Sequence, residues 1–579
     1  MTAAIGRPTL RLIRWSVDPW PVDDLAPLKS TKPAHGGFWS HTLACRGHDG
    51  GRRPKGSAMK QLSPLDSIFV FNERPNAPLH ISPLMFYDPS TAPNGFVRFK
   101  EILGHFESRL HQSPVFRRKL VTVPFNLSPP YWVEDRGFDL EFHVRHIGLP
   151  SPGDWRQFCI LLARLHCRPL DLSRPPWEAY VIEGLDQIDG LPEGAFALYM
   201  KIHHSAIDGA TGNRMVEALH DPSPEVRTEH VVDTWRGEPT PGSPELLARA
   251  YVDALRHPKR VYELVRHTIG TLRLPGFDKD ASPSHAVREK TRFNARVSSH
   301  RVFGAVPFPL DRVKAVKNAA GDCTLNDVVL AVVSGALRRY LIAKRELPAS
   351  PLIAGVPIST RTADQTNAEG GNAVAGMRIN LRTDVEEPLE RLRLINADAV
   401  ASKAYANAIG ARRMVNVAES IPSSMAALGM RVAAAFNLSI RSPVVHTIVT
   451  NVPGPQAPMY MRGARAVRWY GAGCLLDGMG LFHTVNSYWG TITVAYLACR
   501  EMMPDPAFYD DCIRESFAEL QLAALAAAET ATSAADESVG RTRRRATHMG
   551  GATKQAVRTL KKTGGARRSA SRARAPARN

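Results

Sequence analysis

Phe196, Leu198, Met200 and Ile202 alternate at a period of two, and the segment runs straight into His203-His204-Ser205-Ala206-Ile207-Asp208-Gly209. Alternation predicts a strand over 195–202. Ala210 to His220 has helical composition, and Asp221-Pro222 stops it. The histidines therefore fall at a strand-to-helix turn, where a rigid scaffold presents side chains to a cleft. A histidine there can serve as a general base, because its ordinary pKa is about 6.5. Gly209 suits a tight backbone or the close approach of a ligand. Two histidines and an aspartate can equally line a polar turn or join a metal site. Adjacent histidines point in different directions, however, and no HExxH pattern or nearby cysteine pair completes a zinc set. The base is the better reading, with no metal.

Composition bounds the rest. A chain of 579 residues can build two domains and a large core. Its formal charge of +19 is uneven: residues 541–579 carry 13 Lys/Arg and no acid, and residues 1–58 a net +5, which leaves +1 for 59–540. Seven scattered cysteines without a CxxC pair suit reduced thiols in the cytosol. No run reaches the roughly 18–20 apolar residues of a membrane span, and no signal-peptide core stands at the N-terminus. Any membrane contact is expected to be peripheral. Neither a GxSxG elbow nor a plausible cysteine nucleophile is evident, which disfavours chemistry through a covalent enzyme intermediate.

His-His-x-x-x-Asp-Gly resembles the active-site motif of the acyl-CoA-dependent acyltransferase superfamily. Other stretches narrow the resemblance. Leu62-Ser63-Pro64-Leu65-Asp66, with Phe69 soon after, looks like a family opening. Pro114-Val115-Phe116-Arg117 and Pro169-Leu170-Asp171 to Pro176-Trp177 follow, with Pro176 where relatives carry Leu. Thr324-Leu325-Asn326-Asp327 matches an Asn-Asp motif that opens an apolar helix, with Thr324 as N-cap. Gly371-Asn372 and the 377–381 strand resemble a further motif, and Asn451-Val452-Pro453-Gly454-Pro455 is the most specific match. Over roughly residues 62–525 the chain is similar to the bacterial wax ester synthase/diacylglycerol acyltransferases.

That resemblance implies a two-domain α/β fold like chloramphenicol acetyltransferase, each half a mixed sheet flanked by helices, with an active-site channel between halves. The expected division is a disordered extension over 1–58, an N-terminal half over 59–225 and a linker with an amphipathic helix over 226–295. A C-terminal half over 296–528 and a disordered basic tail over 529–579 complete it. The implied reaction moves a fatty acyl group from acyl-CoA to the hydroxyl of diacylglycerol or a long-chain alcohol. His204 acts as base, His203 positions, and Asp208 holds the turn through Arg361. Asn326 and Asp327 either orient the site or only cap and pack. Asn451, Pro453 and Gly454 wall a channel. Arg117, Arg118 and Lys119 are candidates for the coenzyme A phosphates. Acyl-CoA is a substrate, so no cofactor is expected. The competing readings are a lipid-droplet or nucleoid-associated binding protein on the same scaffold, and an acyltransferase for another small acceptor. The tail predicts a cytoplasmic protein held peripherally on an anionic membrane or lipid droplet, ahead of nucleic acid.

Overall fold

The computed structural model describes residues 59–207, 215–226, 235–256, 287–359, 374–409 and 423–530. The predicted extension, the tail beyond 530, Asp208, Gly209, Arg361 and Gly371-Asn372 lie outside the described residues.

Two six-stranded sheets organise the chain. The first half supplies helix α1 (Pro64–Asn72) and strands β1 (His80–Asp88), β2 (Arg118–Val121), β3 (Tyr131–Glu134), β4 (Val144–Gly148), β5 (Trp177–Glu183) and β6 (Phe196–His203). Helices α2 (Phe99–Arg109), α3 (Leu140–His143) and α4 (Trp155–His166) lie between these strands in sequence. After α5 (Ser243–Arg256) come β7 (Arg301–Pro309), α6 (Leu310–Ala320), α7 (Leu325–Lys344), β8 (Ile353–Ser359) and β9 (Val374–Asn380). Helices α8 (Pro388–Ile409), α9 (Ser423–Ala435) and α10 (Leu438–Arg441) lead to β10 (Thr447–Pro453). Strands β11 (Tyr460–Met461), β12 (Ala464–Ala472), β13 (Leu481–Tyr488) and β14 (Thr491–Cys499) follow, and residues 506–530 are helical.

The first sheet runs β11-β12-β1-β6-β5-β4 and the second β7-β14-β13-β10-β8-β9, with β2-β3 a separate ladder. Both large sheets are mixed: β4 lies parallel to β5, and β10 parallel to β8 and β13. Strands β11 and β12 come from late in the chain yet complete the first sheet, β12 pairing antiparallel with β1. A linear division into halves does not foresee this exchange, because strand pairing across 380 residues leaves no local signal.

The alternation in β6 now has a physical meaning. Phe196, Leu198, Met200 and Ile202 enter one apolar core, while Ala197 and Tyr199 enter the other. All eight residues of β6 are buried, so the strand is covered on both faces rather than one. Lys201 is the polar exception, and its ammonium donates to the Arg168 carbonyl at 2.6 Å and faces Glu178 at 3.4 Å.

Helix α3 occupies Leu140–His143 and β4 begins directly at Val144. His143 is buried: its Nδ1 lies 2.7 Å from the Trp177 carbonyl and its ring stacks on Trp177. Of the expected linker with its amphipathic helix over 226–295, the described residues include α5, and 257–286 lie outside them. No single described helix is long and apolar enough to cross a membrane. The bent pair α6–α7 has the composition, but α7 contributes its apolar residues to the core.

Candidate functional site

Strand β6 ends at His203, and three main-chain hydrogen bonds fix the turn that follows. His203 N donates to the Pro176 carbonyl and His204 N to the Leu79 carbonyl, both at 2.9 Å. Ala206 N then donates to the His203 carbonyl at 2.9 Å and closes the turn. The two imidazoles consequently take different environments.

His203 is fully buried. Its Nδ1 accepts from the Ser205 main-chain N–H at 3.2 Å and lies 2.6 Å from Ser205 Oγ. A ring nitrogen that accepts from an N–H carries no proton, so the neutral ring bears its proton on Nε2. Nε2 faces Glu73 Oε2 at 3.6 Å, and the other Glu73 oxygen accepts from Leu79 N at 3.1 Å. Glu73 thus ties the end of α1 to the start of β1 and lies beside the His203 ring without hydrogen-bonding to Nε2.

His204 instead stacks on Phe69 of α1, with ring centroids 4.1 Å apart and planes within 9°. Its Nδ1 is buried. Burial lowers the ring's pKa to about 4, opposed in part by a hydrogen bond with the residue's own main chain; the neighbouring His203 lowers it further. The ring is therefore neutral at physiological pH and able to accept a proton. Helix α1 owes its position to the Ser-Pro-Leu-Asp opening. Ser63 caps it, accepting from Asp66 N at 3.0 Å and donating to Asp66 Oδ2 at 2.6 Å, and Pro64 fills the first turn. Sequence reasoning noted Phe69 only as part of a family opening and missed Glu73. A cap followed at helical spacing by an aromatic and an acid was the available signal.

Beneath the motif lies a buried polar layer. His80 pairs in register with His203 across β1 and β6. Its ring meets His166 edge-on at 4.4 Å, and neither of its nitrogens has a hydrogen-bond partner among the described residues. Burial, helped by the nearby His166, Lys201 and His203, holds its pKa well below the ordinary value. His166 is bonded to Tyr199 Oη at 2.7 Å and to the Gly473 carbonyl at 2.9 Å, and burial lowers it to about 3. Both rings are neutral supports.

The other expected site residues separate into roles. Asp327 Oδ2 accepts from Thr324 N and Oγ1, both at 2.8 Å, and from Asn396 Nδ2 at 2.9 Å. This is a capping box that also ties α7 to α8, and it realises the capping alternative for Asp327. Asn326, beside it in the first turn of α7, is half-buried. Asn451 and Pro453 lie in β10, opposite Val485 and Ser487 of β13. Gly454 follows directly, and its N–H donates to the Ser487 carbonyl at 2.9 Å. A Cβ on Gly454 would lie 2.5 Å from that carbonyl oxygen and 2.5 Å from the Trp469 ring. Trp469, with Pro307, Arg468, Tyr470 and Thr493, lines a cavity of about 220 Å³ beside β12.

Arg117, Arg118 and Lys119 do not form a cluster of free cations. Arg117 is buried with its guanidinium 4.8 Å over Trp235. Arg118 pairs with Glu134 at 3.6 Å and Lys119 with Asp135 at 2.9 Å. A phosphate there would compete with carboxylates already in place. No group of His, Cys, Asp or Glu among the described residues is arranged to hold a metal ion.

The wax ester synthase/diacylglycerol acyltransferase catalytic domain matches residues 62–329, and the C-terminal domain of the same group matches 370–521. The O-acyltransferase WSD of Acinetobacter baylyi is 32% identical over 467 residues, 77% of this chain and 93% of that protein. A putative diacylglycerol O-acyltransferase of Mycobacterium tuberculosis is 32% identical over 474 residues, 81% of this chain and 91% of the relative. Among solved structures, the wax ester synthase/diacylglycerol acyltransferase of Marinobacter aquaeolei VT8 superposes with a TM-score of 0.60 at 28% identity, over 80% of this chain and all of that one. A trichothecene 15-O-acetyltransferase of Fusarium sporotrichioides shares the fold, with a TM-score of 0.52 at 10% identity, over 82% of this chain and 97% of that one.

Proposed function

The chain belongs to the wax ester synthase/diacylglycerol acyltransferase family, and from that premise we propose that His204 is the general base of its acyl transfer. The observation that carries this is a neutral imidazole, with its pKa lowered to about 4, held face-on to Phe69 at the strand-to-helix turn. The family membership makes the protein an acyltransferase. The donor is acyl-CoA, and the acceptor is the hydroxyl of diacylglycerol or of a long-chain alcohol.

Nδ1 of His204 is buried, so we assign the acceptor proton to Nε2. The acceptor oxygen attacks the thioester carbonyl, and the new C–O bond forms as the O–H bond breaks. When the intermediate collapses, the C–S bond breaks. The leaving thiolate recovers the proton from the imidazolium, giving ester, free coenzyme A and neutral His204. A ring this weakly basic is not pre-charged by solvent, and its proton transfer must accompany bond formation. General-base help of this kind contributes about 10²–10⁴ in rate. No covalent enzyme intermediate and no resident cofactor enter these steps. His203 positions the turn, through Ser205 on one side and Glu73 on the other. By the family resemblance, Asp208 is assigned to holding that turn through Arg361.

The deciding assay supplies labelled acyl-CoA with diacylglycerol and, separately, with hexadecanol. Neutral lipid from at least one acceptor is expected; none from either overturns the reading. We further place the enzyme in the cytoplasm, held peripherally at a membrane or lipid droplet by the basic residues 541–579. Each basic residue near an anionic surface contributes on the order of 1 kcal/mol. Truncation after Gly540 should weaken binding to anionic vesicles at low salt. Unchanged binding removes the tail as an anchor.

A further inference from the structure

Helix α9 exposes an apolar face. Leu428, Val432 and Phe436 recur every four residues, one stripe on a helix, and are 61%, 45% and 58% exposed. Leu438 at the start of α10 is also exposed, while Ala427 on the opposite side of α9 is buried. Scattered exposed apolar residues are ordinary, but a contiguous stripe on a folded surface marks a contact.

A second element adds to it. The 3-10 turn Pro124–Asn126 packs beside α9 and holds Phe125 86% exposed, with Leu127 also exposed. Phe125 and Asn126 both take left-handed backbone conformations, with φ of 58° and 54°. An aromatic side chain in that region strains its backbone, and here the strain holds a Phe out in solvent.

The charge pattern selects the partner. Residues 423–446 contain no Asp or Glu, and Arg431 and Arg441 are exposed along the stripe. An apolar helix face with a protruding aromatic, basic flanks and no acid has the chemistry of a helix lying in a phospholipid interface. Helix α9 also packs on α1, whose Phe69 backs His204. A lipid surface seated on α9 is thereby one helix away from the base.

We propose that α9 and the 124–127 turn form the face by which the enzyme inserts into a phospholipid surface. This deepens the lipid-substrate reading above and is distinct from the basic tail. The tail acts by charge and weakens with salt, whereas an inserted apolar face does not.

The test uses the full chain and phosphatidylcholine vesicles in about 0.5 M salt, where charge attraction is screened, read by co-sedimentation. The parent should bind. The double variant L428D/V432D should partition at least about tenfold less, and Phe125→Ser measurably less, in proportion to the apolar surface removed. Both should keep parental turnover on a short-chain acyl-CoA with a water-soluble alcohol. Loss of the parent's turnover on these soluble substrates would count against the acyl-transfer reading alone, since vesicle binding is measured separately. A parent that stays in the supernatant, or variants that bind as the parent does, overturns the proposal. So does a parent dimer that L428D/V432D turns into a monomer with unchanged vesicle binding, which assigns the face to a second copy. Phe125 lies on the surface of a turn, so Phe125→Ser keeps the question open to refutation if the double variant fails to fold.

Discussion

His203 and His204 are neighbours in sequence with different neighbours in space, and that difference assigns their roles. The His203 ring is held by Ser205 beside Glu73 in the interior, whereas the His204 ring stacks on Phe69 at the turn. Phe69→Ala should hydrate the His204 ring and loosen its plane. Hydration stabilises the charged form, so the pKa rises from about 4 toward 6.5. The acid limb of the kcat/KM profile should then move to higher pH, and kcat should fall about tenfold, as expected for a misoriented catalytic group. Phe69→Tyr should restore both. An unmoved acid limb in Phe69→Ala would show that the stack does not set the ring's environment. Glu73→Gln should keep the Leu79 hydrogen bond through the amide oxygen and leave the fold intact. Glu73 therefore acts as a positioning residue, and a drop in kcat without a drop in melting temperature is the expected sign.

At the scale of elements, two motifs hold neighbouring elements together. Thr324 and Asp327 close a capping box on α7, and Thr324→Ala should cost about 1 kcal/mol in unfolding free energy, with turnover per folded molecule unchanged. Gly454 lies where β10 meets β13, against a carbonyl and the Trp469 ring. Gly454→Ala should therefore push Trp469 into the cavity beside β12 and lower stability by about 1–3 kcal/mol, the usual range for overpacking. Parental melting temperature in that variant would contradict the close approach. These elements were legible because caps, turns and period-two strands are local signals: the Thr324 cap and the strand into His203 lie where the pattern puts them. What was not legible is non-local. Nothing near Ala464–Ala472 announces that it pairs with β1, and nothing near Lys119 announces that Asp135 will neutralise it. The basic run therefore looked like an anion site in one dimension and is a paired surface in three.

Across the whole molecule, burial of neutral histidines sets the response to acid. His166 and His483 are lowered to about 3 and His220 to about 4, each chiefly by burial. Their stability contribution is complete above the unfolded value of about 6.5 and is lost as pH falls toward the folded values, because the unfolded chain binds these protons first. Asp510, raised by burial to about 6, works in the opposite direction between pH 6 and about 4. Three histidines against one carboxyl predict net proton uptake on unfolding near pH 5 and a falling melting temperature from pH 7 to 5. A melting temperature that rises over this interval would contradict the buried neutral assignments. The central claim, that His204 removes the acceptor proton, is tested most directly by single-turnover acyl transfer with purified His204→Ala at parental melting temperature. A loss of about 10²–10⁴ in rate is expected, with His203→Ala losing less; near-parental transfer by His204→Ala would contradict it.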